Sequence, residues 1–212
     1  MVIPLNINAL FSDSNGDSIR VKIDTKPFIY GDIDDIINWM VLNQIATVDM
    51  EDIKTGITPF FLACQYNPND DLIKWLIQTH ETNLSFKNNK KLNVIEYLIR
   101  SKFNSQIISN RIKYILDFQK FDYNEKNDLD DTLFEQLCYS GYLDIVNILV
   151  TNGSIYLSPD KIEMIIRQIS KIITGECTDY WPTSSVDEHH FNKSLDNIIQ
   201  YLTSILDNIN SR

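Results

Sequence analysis

The sequence predicts an all-α solenoid of short stacked helix pairs with a small β-hairpin at its N-terminus, and three observations carry that prediction. Thr58-Pro59-Phe60-Phe61-Leu62-Ala63-Cys64-Gln65-Tyr66-Asn67 and Thr132-Leu133-Phe134-Glu135-Gln136-Leu137-Cys138-Tyr139-Ser140-Gly141 share one pattern, 74 positions apart. Each is followed by an aliphatic segment that opens on Asp, namely Asp71 to Ile77 and Asp144 to Val150. A third such segment, Asp35 to Val41, precedes the Asp71 segment by 36 positions, with Trp39 and Trp75 in matching places. Similarity at a fixed period of this size marks stacked helix pairs, none of which can bury its apolar face alone.

The elements follow in order. Residues 1–30 lack the repeat pattern. Asn15-Gly16 lies before Ile19, Val21 and Ile23, which alternate with polar residues, so a hairpin or edge strand is expected there. The repeats are expected over 31–157. Thr58 is placed to cap a helix whose first position is Pro59, where no N–H is needed. Phe60, Leu62 and Ala63 then face inward, and the following turn runs one residue long through Pro68 and Asn69. Leu72, Ile73, Trp75 and Leu76 make a wide apolar stripe, for which core packing is the commoner cause than an aromatic ligand box. Asn93 to Leu98 and Arg111 to Leu116 fill the slot between the two best-matched units, with the intervening turn expected within Asn104 to Asn110. Thr132 and Glu135 have capping-box spacing. A helical cap is expected over 158–212, with a polar loop inserted at 174–184. Ser158-Pro159-Asp160 opens its first helix, which carries Ile162, Ile165, Ile166, Ile169, Ile172 and Ile173. Ser185 and Glu188 open the last, whose Phe191, Leu195, Ile198, Leu202, Ile205 and Ile209 share a face opposite Asp196, Asn197, Gln200 and Ser204.

These residues resemble an ankyrin repeat. The stretch from Thr132 through Gly141-Tyr142-Leu143-Asp144 to Asn152-Gly153-Ser154 is similar almost position for position, and Thr58, Pro59, Phe60 and Ala63 resemble the family's TPLHxA opening. The likeness spans roughly 31–157 and is carried by 52–84 and 128–154. It departs from the family at Phe61 and Glu135, which replace the usual His and so remove a polar link between neighbouring repeats. The resemblance implies a non-enzymatic module that binds another protein through the concave face and loop tips. The positions it assigns are Asp52, Lys54, Thr55, Ile57, Gln65 and Tyr66 in one unit and Asp128, Leu129, Asp131, Tyr139 and Ser140 in a later one. Exposed Ile57, Tyr66, Leu129 and Tyr139 are expected as anchors within an acidic rim, suited to a basic or mixed partner surface.

Composition narrows the classes. The 212 residues are 43% hydrophobic and 23% charged, which fits a folded protein. A net charge of −10 argues against nucleic acid and against an anionic membrane surface as main partner. Lys87, Lys90 and Lys91 form one local basic patch, most simply a solvated loop. Six glycines and no phosphate-loop pattern argue against a nucleotide cofactor, and no cofactor is expected. No apolar run approaches the ~20 residues needed to span a bilayer, and Met1 to Leu10, broken by Pro4, Asn6 and Asn8, does not read as a leader. Three widely spaced cysteines, at 64, 138 and 177, favour reduced thiols and an intracellular, cytoplasmic setting. Cys64 and Cys138 fall at small buried positions, where thiols are structural.

No catalytic constellation emerges. Cys177, Asp187, Glu188, His189 and His190 are close in sequence, but adjacent histidines diverge by about 100° on a helix and no metal-ligand spacing supports them. His80 and the pairs Asp34-Asp35, Asp70-Asp71 and Asp130-Asp131 fit helix-end electrostatics. Two alternatives remain: a small metal-dependent or enzymatic protein using the 174–191 region, which metal analysis would test, and a self-associating structural solenoid, which solution mass would test. The Asn-, Ile-, Lys- and Asp-rich composition suits an AT-rich genome. By fold-level analogy that raises a host-directed protein of a parasite, intracellular bacterium or large DNA virus, working in the host cytoplasm.

Overall fold

The computed structural model describes residues 6–12, 18–24, 30–32, 35, 51–52, 55–79, 82–101, 103–119, 121–127, 130–177 and 188–211. Strands β1 (Asn6–Ser12) and β2 (Ser18–Asp24) form an antiparallel pair. Its register sets Ile7 against Ile23, Ala9 against Val21 and Phe11 against Ile19, and closes at Ser12 and Ser18. The N-terminal hairpin is therefore present. Its first strand occupies a stretch in which Ile7, Ala9 and Phe11 alternate with other residues, and Asn15-Gly16 lies outside the described residues.

Eight helices follow among the described residues: α1 (Pro59–Tyr66), α2 (Asp70–Thr79), α3 (Val94–Ile99), α4 (Ser105–Phe118), α5 (Leu133–Tyr139), α6 (Leu143–Thr151), α7 (Pro159–Ile173) and α8 (Glu188–Asn210). The fold is a helical repeat of alternating short and longer helices. The chain divides into two compact units, Met1–Phe103 with Tyr114–Gln119, and Asn104–Lys113 with Lys120–Arg212.

In the first unit α1 packs against α2 and α3. The Thr58 hydroxyl accepts the Phe61 N–H at 3.3 Å and Pro59 opens the helix, as the sequence predicts. Pro59 to Cys64 are all buried, because α1 is covered on more than one side. Asn69 starts α2 by accepting from the Asp71 and Leu72 N–H groups, and Leu72, Ile73, Leu76 and Ile77 form its buried stripe. Each such side chain stabilises the core by about 1.5–3 kcal/mol. Trp75 is half-buried, and Trp39 and Trp181 lie outside the described residues. So does most of the helix expected over 35–41. Asp32 and Asp35 nonetheless accept each other's backbone N–H at 3.1 Å, the reciprocal arrangement of a helix start.

Asn93 and Glu96 close a capping box on α3, which the sequence reading left uncapped. The turn expected within Asn104 to Asn110 is not there. Asn104 accepts the Ile107 N–H at 3.0 Å and α4 runs on from Ser105. Asn110 is an exposed position on that helix, whose buried Ile108, Ile112 and Ile115 keep helical spacing.

In the second unit α5 packs against α6 and α7, and α8 packs against α5, α6 and α7. The Thr132–Glu135 capping box forms, and Ser158 caps α7 ahead of Pro159. Ile162, Ile165, Ile169 and Ile172 are fully buried, as are Leu195, Ile198 and Leu202 of α8. Ile166, Ile173 and Ile205 are half-buried, Ile209 is exposed, and Asp196, Asn197, Gln200 and Ser204 face solvent. Gly141, in the turn between α5 and α6, has φ +77°, and a Cβ there would lie 3.0 Å from the Ser194 Cβ on α8. Ser185 lies outside the described residues.

The polar links between repeats have moved to the outer helices. Gln78 of α2 donates to the Tyr114 hydroxyl of α4 at 2.8 Å. In the second unit Lys113 and Ser109 of α4 hold Asp144 of α6 at 2.6 and 3.0 Å, and Tyr201 of α8 donates to Asn147 of α6 at 2.9 Å. Phe61, where the family resemblance implied His, instead meets Tyr97 of α3 with ring centroids 4.8 Å apart. Glu135, the other replacement, closes its own helix cap with one carboxylate oxygen and has Lys161 of α7 at 4.0 Å from the other.

Candidate protein-binding surface

Of the expected binding positions, Asp52, Thr55, Ile57 and Asp131 lie on loops that precede the inner helices, whereas Gln65, Tyr66, Tyr139 and Ser140 lie at the C-terminal ends of α1 and α5. Three loops before inner helices share one construction. In the first, the Asp52 N–H donates to the Ile57 carbonyl at 2.9 Å, while the Asp52 carboxylate accepts the Thr55 N–H and hydroxyl at 3.1 and 2.6 Å. In the second, the Asn88 N–H donates to the Leu92 carbonyl at 3.0 Å, and its side-chain oxygen accepts the Lys90 and Leu92 N–H groups, both at 2.9 Å. In the third, the Asn127 N–H donates to the Asp131 carbonyl at 2.9 Å and its side chain accepts the Asp131 N–H at 3.3 Å. An Asp or Asn thus begins each loop by mimicking a backbone turn. A residue of positive φ ends it: Gly56 at +65°, Lys91 at +57° and Asp130 at +65°. Two residues later stands the N-cap of the inner helix, Thr58, Asn93 or Thr132.

Gly56 is required twice over. It adopts the left-handed region, and a Cβ would come within 2.7 Å of the Asn89 nitrogen, because the Asn89 N–H donates to the Thr55 carbonyl at 3.1 Å. Lys91 and Asp130 hold the same conformation with side chains, at a cost of about 1–2 kcal/mol each. Their side chains are exposed.

The predicted positions separate into groups. Lys54, Asp128 and Leu129 lie outside the described residues. Thr55 is exposed, and Asp52, Ile57, Gln65, Tyr66, Asp131 and Ser140 are half-buried. Asp52 holds its own loop together through Thr55, and Ser140 is the C-cap of α5. Tyr139 is a correction: it is 3% exposed and cannot be a surface anchor. Burial drives its hydroxyl pKa upward, and the nearby Glu135 and Asp131 carboxylates add to the shift. The reason is tertiary, since α7 packs on α5 and closes the face that a lone repeat would leave open. The two halves of the expected strip fall in different compact units.

Sequence reasoning missed Tyr156, 85% exposed before α7, Phe118, 49% exposed at the end of α4, and the exposed Met164 on α7. A signal for Tyr156 did exist. Tyr156-Leu157-Ser158-Pro159 aligns with Gly56-Ile57-Thr58-Pro59 at the hydroxyl–proline pair, which puts Tyr156 at the loop-tip position.

Chemistry elsewhere is subdued. Cys64 and Cys138 are buried and Cys177 is half-buried, all three as free thiols. Burial, then the Glu135 charge, raises the Cys138 thiol far above its ordinary value, so it stays protonated. Among the described residues no group of three or more His, Cys, Asp or Glu could hold a metal ion, and no helix is long and apolar enough to cross a membrane. His189 and His190 stand 6.2 Å apart at 81°. The centre of the 174–191 region lies outside the described residues.

Comparison with known proteins agrees with this construction. Residues 55–86, which hold the end of the first loop, α1, α2 and the chain beyond, match the family model described as ankyrin repeat. No curated protein matches the sequence. Among solved structures, the chain is similar to one in the Bd0816 predatory endopeptidase from Bdellovibrio bacteriovorus in complex with immunity protein Bd3460. The identity is 18%, over 85% of this chain and 96% of that one, with a TM-score of 0.47, a likeness too loose to bear on function. Residues 55–86 thus match an ankyrin repeat, and the chain around them is built of helices in a helical repeat.

Proposed function

We propose that this chain is a non-enzymatic interaction module, an adaptor that binds another protein through its loop tips and the exposed parts of its inner helices. Ankyrin repeats generally mediate protein–protein interaction, and that coarse statement supports the reading. The observation that carries it is the repeated loop. Backbone hydrogen bonds and a buried or half-buried Asp or Asn fix each loop, and the side chains of Lys90 and Lys91 stand exposed at the second tip, while exposed Thr55 and Asp130 are held by Asp52 and Lys126 of their own loops. Rigid loops with unconstrained tip chemistry are where binding residues concentrate. Within this proposal, 31–157 supply the repeats and 158–212 the cap, and the acidic balance favours a partner with a basic or mixed surface. The cytoplasmic, host-directed setting suggested by composition belongs to the same proposal.

The test is affinity capture with mass spectrometry, comparing the wild-type chain with a Tyr66→Ala, Asp128→Lys, Asp131→Lys variant. Asp52 and Tyr139 are left intact because the first holds a loop and the second is core. Loss of specific partners with an unchanged circular dichroism spectrum supports the reading. An identical set of captured proteins overturns the placement of the surface.

A further inference from the structure

Among the described residues Tyr156 is the most exposed of the large hydrophobic side chains, at 85%, and it lies in no helix. It lies two residues before Ser158, the N-cap of α7, just as Asp130 lies two residues before Thr132, the N-cap of α5. These two helices pack together, and their third residues, Glu135 and Lys161, are joined at 4.0 Å. The helix starts are therefore level, and the loops before them leave the same edge of the unit. Around that edge the charge is predominantly acidic. Lys126 is engaged by Asp130 at 2.8 Å and Lys161 by Glu135, while Asp160 and Glu163 project from the first turns of α7 as exposed carboxylates.

An exposed aromatic ring just ahead of a helix start that carries exposed carboxylates matches one side chain better than others. A guanidinium stacks flat on the ring and still donates to neighbouring carboxylates, whereas a hydrocarbon side chain uses only the ring and an acidic one is repelled. We propose that Tyr156 is the anchor of the protein-binding surface and receives an arginine of a basic partner segment, with Asp160 and Glu163 supplying the surrounding charge. This rests on the protein-binding reading above and names the residue that Tyr139 was expected to be.

The test uses the full chain and a fluorescein-labelled peptide of alternating arginine and serine, followed by anisotropy at physiological salt. The same peptide with citrulline, a neutral isostere of arginine, is the control ligand. Binding of the arginine peptide is expected, with loss on citrulline replacement. Tyr156→Ala should weaken it about two- to fivefold, while Tyr156→Phe keeps it. Asp160→Asn with Glu163→Gln should also weaken it, and Asp196→Asn on α8 should not. Equal loss from Asp196→Asn would show charge attraction without a site and overturn the proposal, as would full binding by Tyr156→Ala. Equal binding of the citrulline peptide would point to an uncharged partner. Concentration-dependent association abolished by Tyr156→Ala would make a second copy the occupant; either result overturns the proposal. If Tyr156→Ala spares the peptide while the Tyr66 and Asp131 substitutions abolish partner capture, the anchor is wrong and the binding reading stands. If none of the substitutions changes either measurement, the binding reading falls as well.

Discussion

Replacing Gly141 by Ala tests how closely α8 is fitted to the turn between α5 and α6. Two penalties combine at this position. The left-handed φ of +77° costs an Ala about 1–2 kcal/mol. The new Cβ would also lie 3.0 Å from the Ser194 Cβ and closer still to its hydroxyl, which donates to the Phe191 carbonyl at 2.7 Å. Ser194 has no long side chain to swing away, so α8 itself must move, an overpacking penalty of about 1–3 kcal/mol. The sum is about 2–5 kcal/mol. Gly153 separates the two parts. Its φ is +66°, yet nothing lies within 4 Å of a Cβ there, so Gly153→Ala should cost only the conformational part. Urea unfolding followed by circular dichroism gives both values. Equal losses for the two variants would refute the close approach of α8 and with it the account of α8 as a fitted cap.

Other consequences follow from single groups. Lys91→Gly relieves a left-handed lysine at the second loop tip and should stabilise the chain by about 0.5–1 kcal/mol in the same assay, the strain relieved less the backbone entropy that glycine loses. Burial raises the Asp144 carboxyl, but the hydrogen bonds from Lys113 and Ser109 and the Lys113 charge outweigh it and hold the pKa below its ordinary value. The folded state therefore binds that proton less readily than the unfolded chain. Its stabilisation is present above the ordinary carboxylate range and is lost as pH falls through the lowered value. Asp144→Asn should flatten the stability-against-pH curve in that acid range, as read from thermal midpoints. With a thiol reagent under native conditions, Cys177 should react first, and Cys64 and Cys138 only after denaturant is added; fast reaction of all three would contradict the burial of the inner helices.

Local chemistry was legible in the sequence wherever the cause is local. Thr58, Thr132 and Ser158 cap helices as their spacing predicts, because a hydroxyl needs only the next few backbone N–H groups to do so. Asn93 does the same on α3 and was overlooked because Asn is equally at home in turns. Asn104 to Asn110 misled for that reason: Asn104 and Asn110 look like turn residues, yet the isoleucines around Asn110 already carry the helical period. Tyr139 shows where local reasoning stops, because its burial depends on which helix stacks beside α5 and is not encoded within a few residues of it, whereas Tyr156 carries a local signal in the Ser158-Pro159 pair that follows it. Ile57 and Tyr66, half-buried, lie between these cases.

The hydrogen bonds and ion pairs between outer helices make the repeats non-interchangeable. Gln78 needs Tyr114, Asp144 needs Ser109 and Lys113, and Asn147 needs Tyr201, so each pair of neighbours carries its own lock and key. Consensus repeats can be duplicated or deleted because every junction is alike. Excising residues 93–118 from this chain would take away the partners of both Gln78 and Asp144, leaving an amide and a carboxylate where matched contacts had been. Such a chain is free to drift residue by residue, but not to grow or shrink by whole repeats.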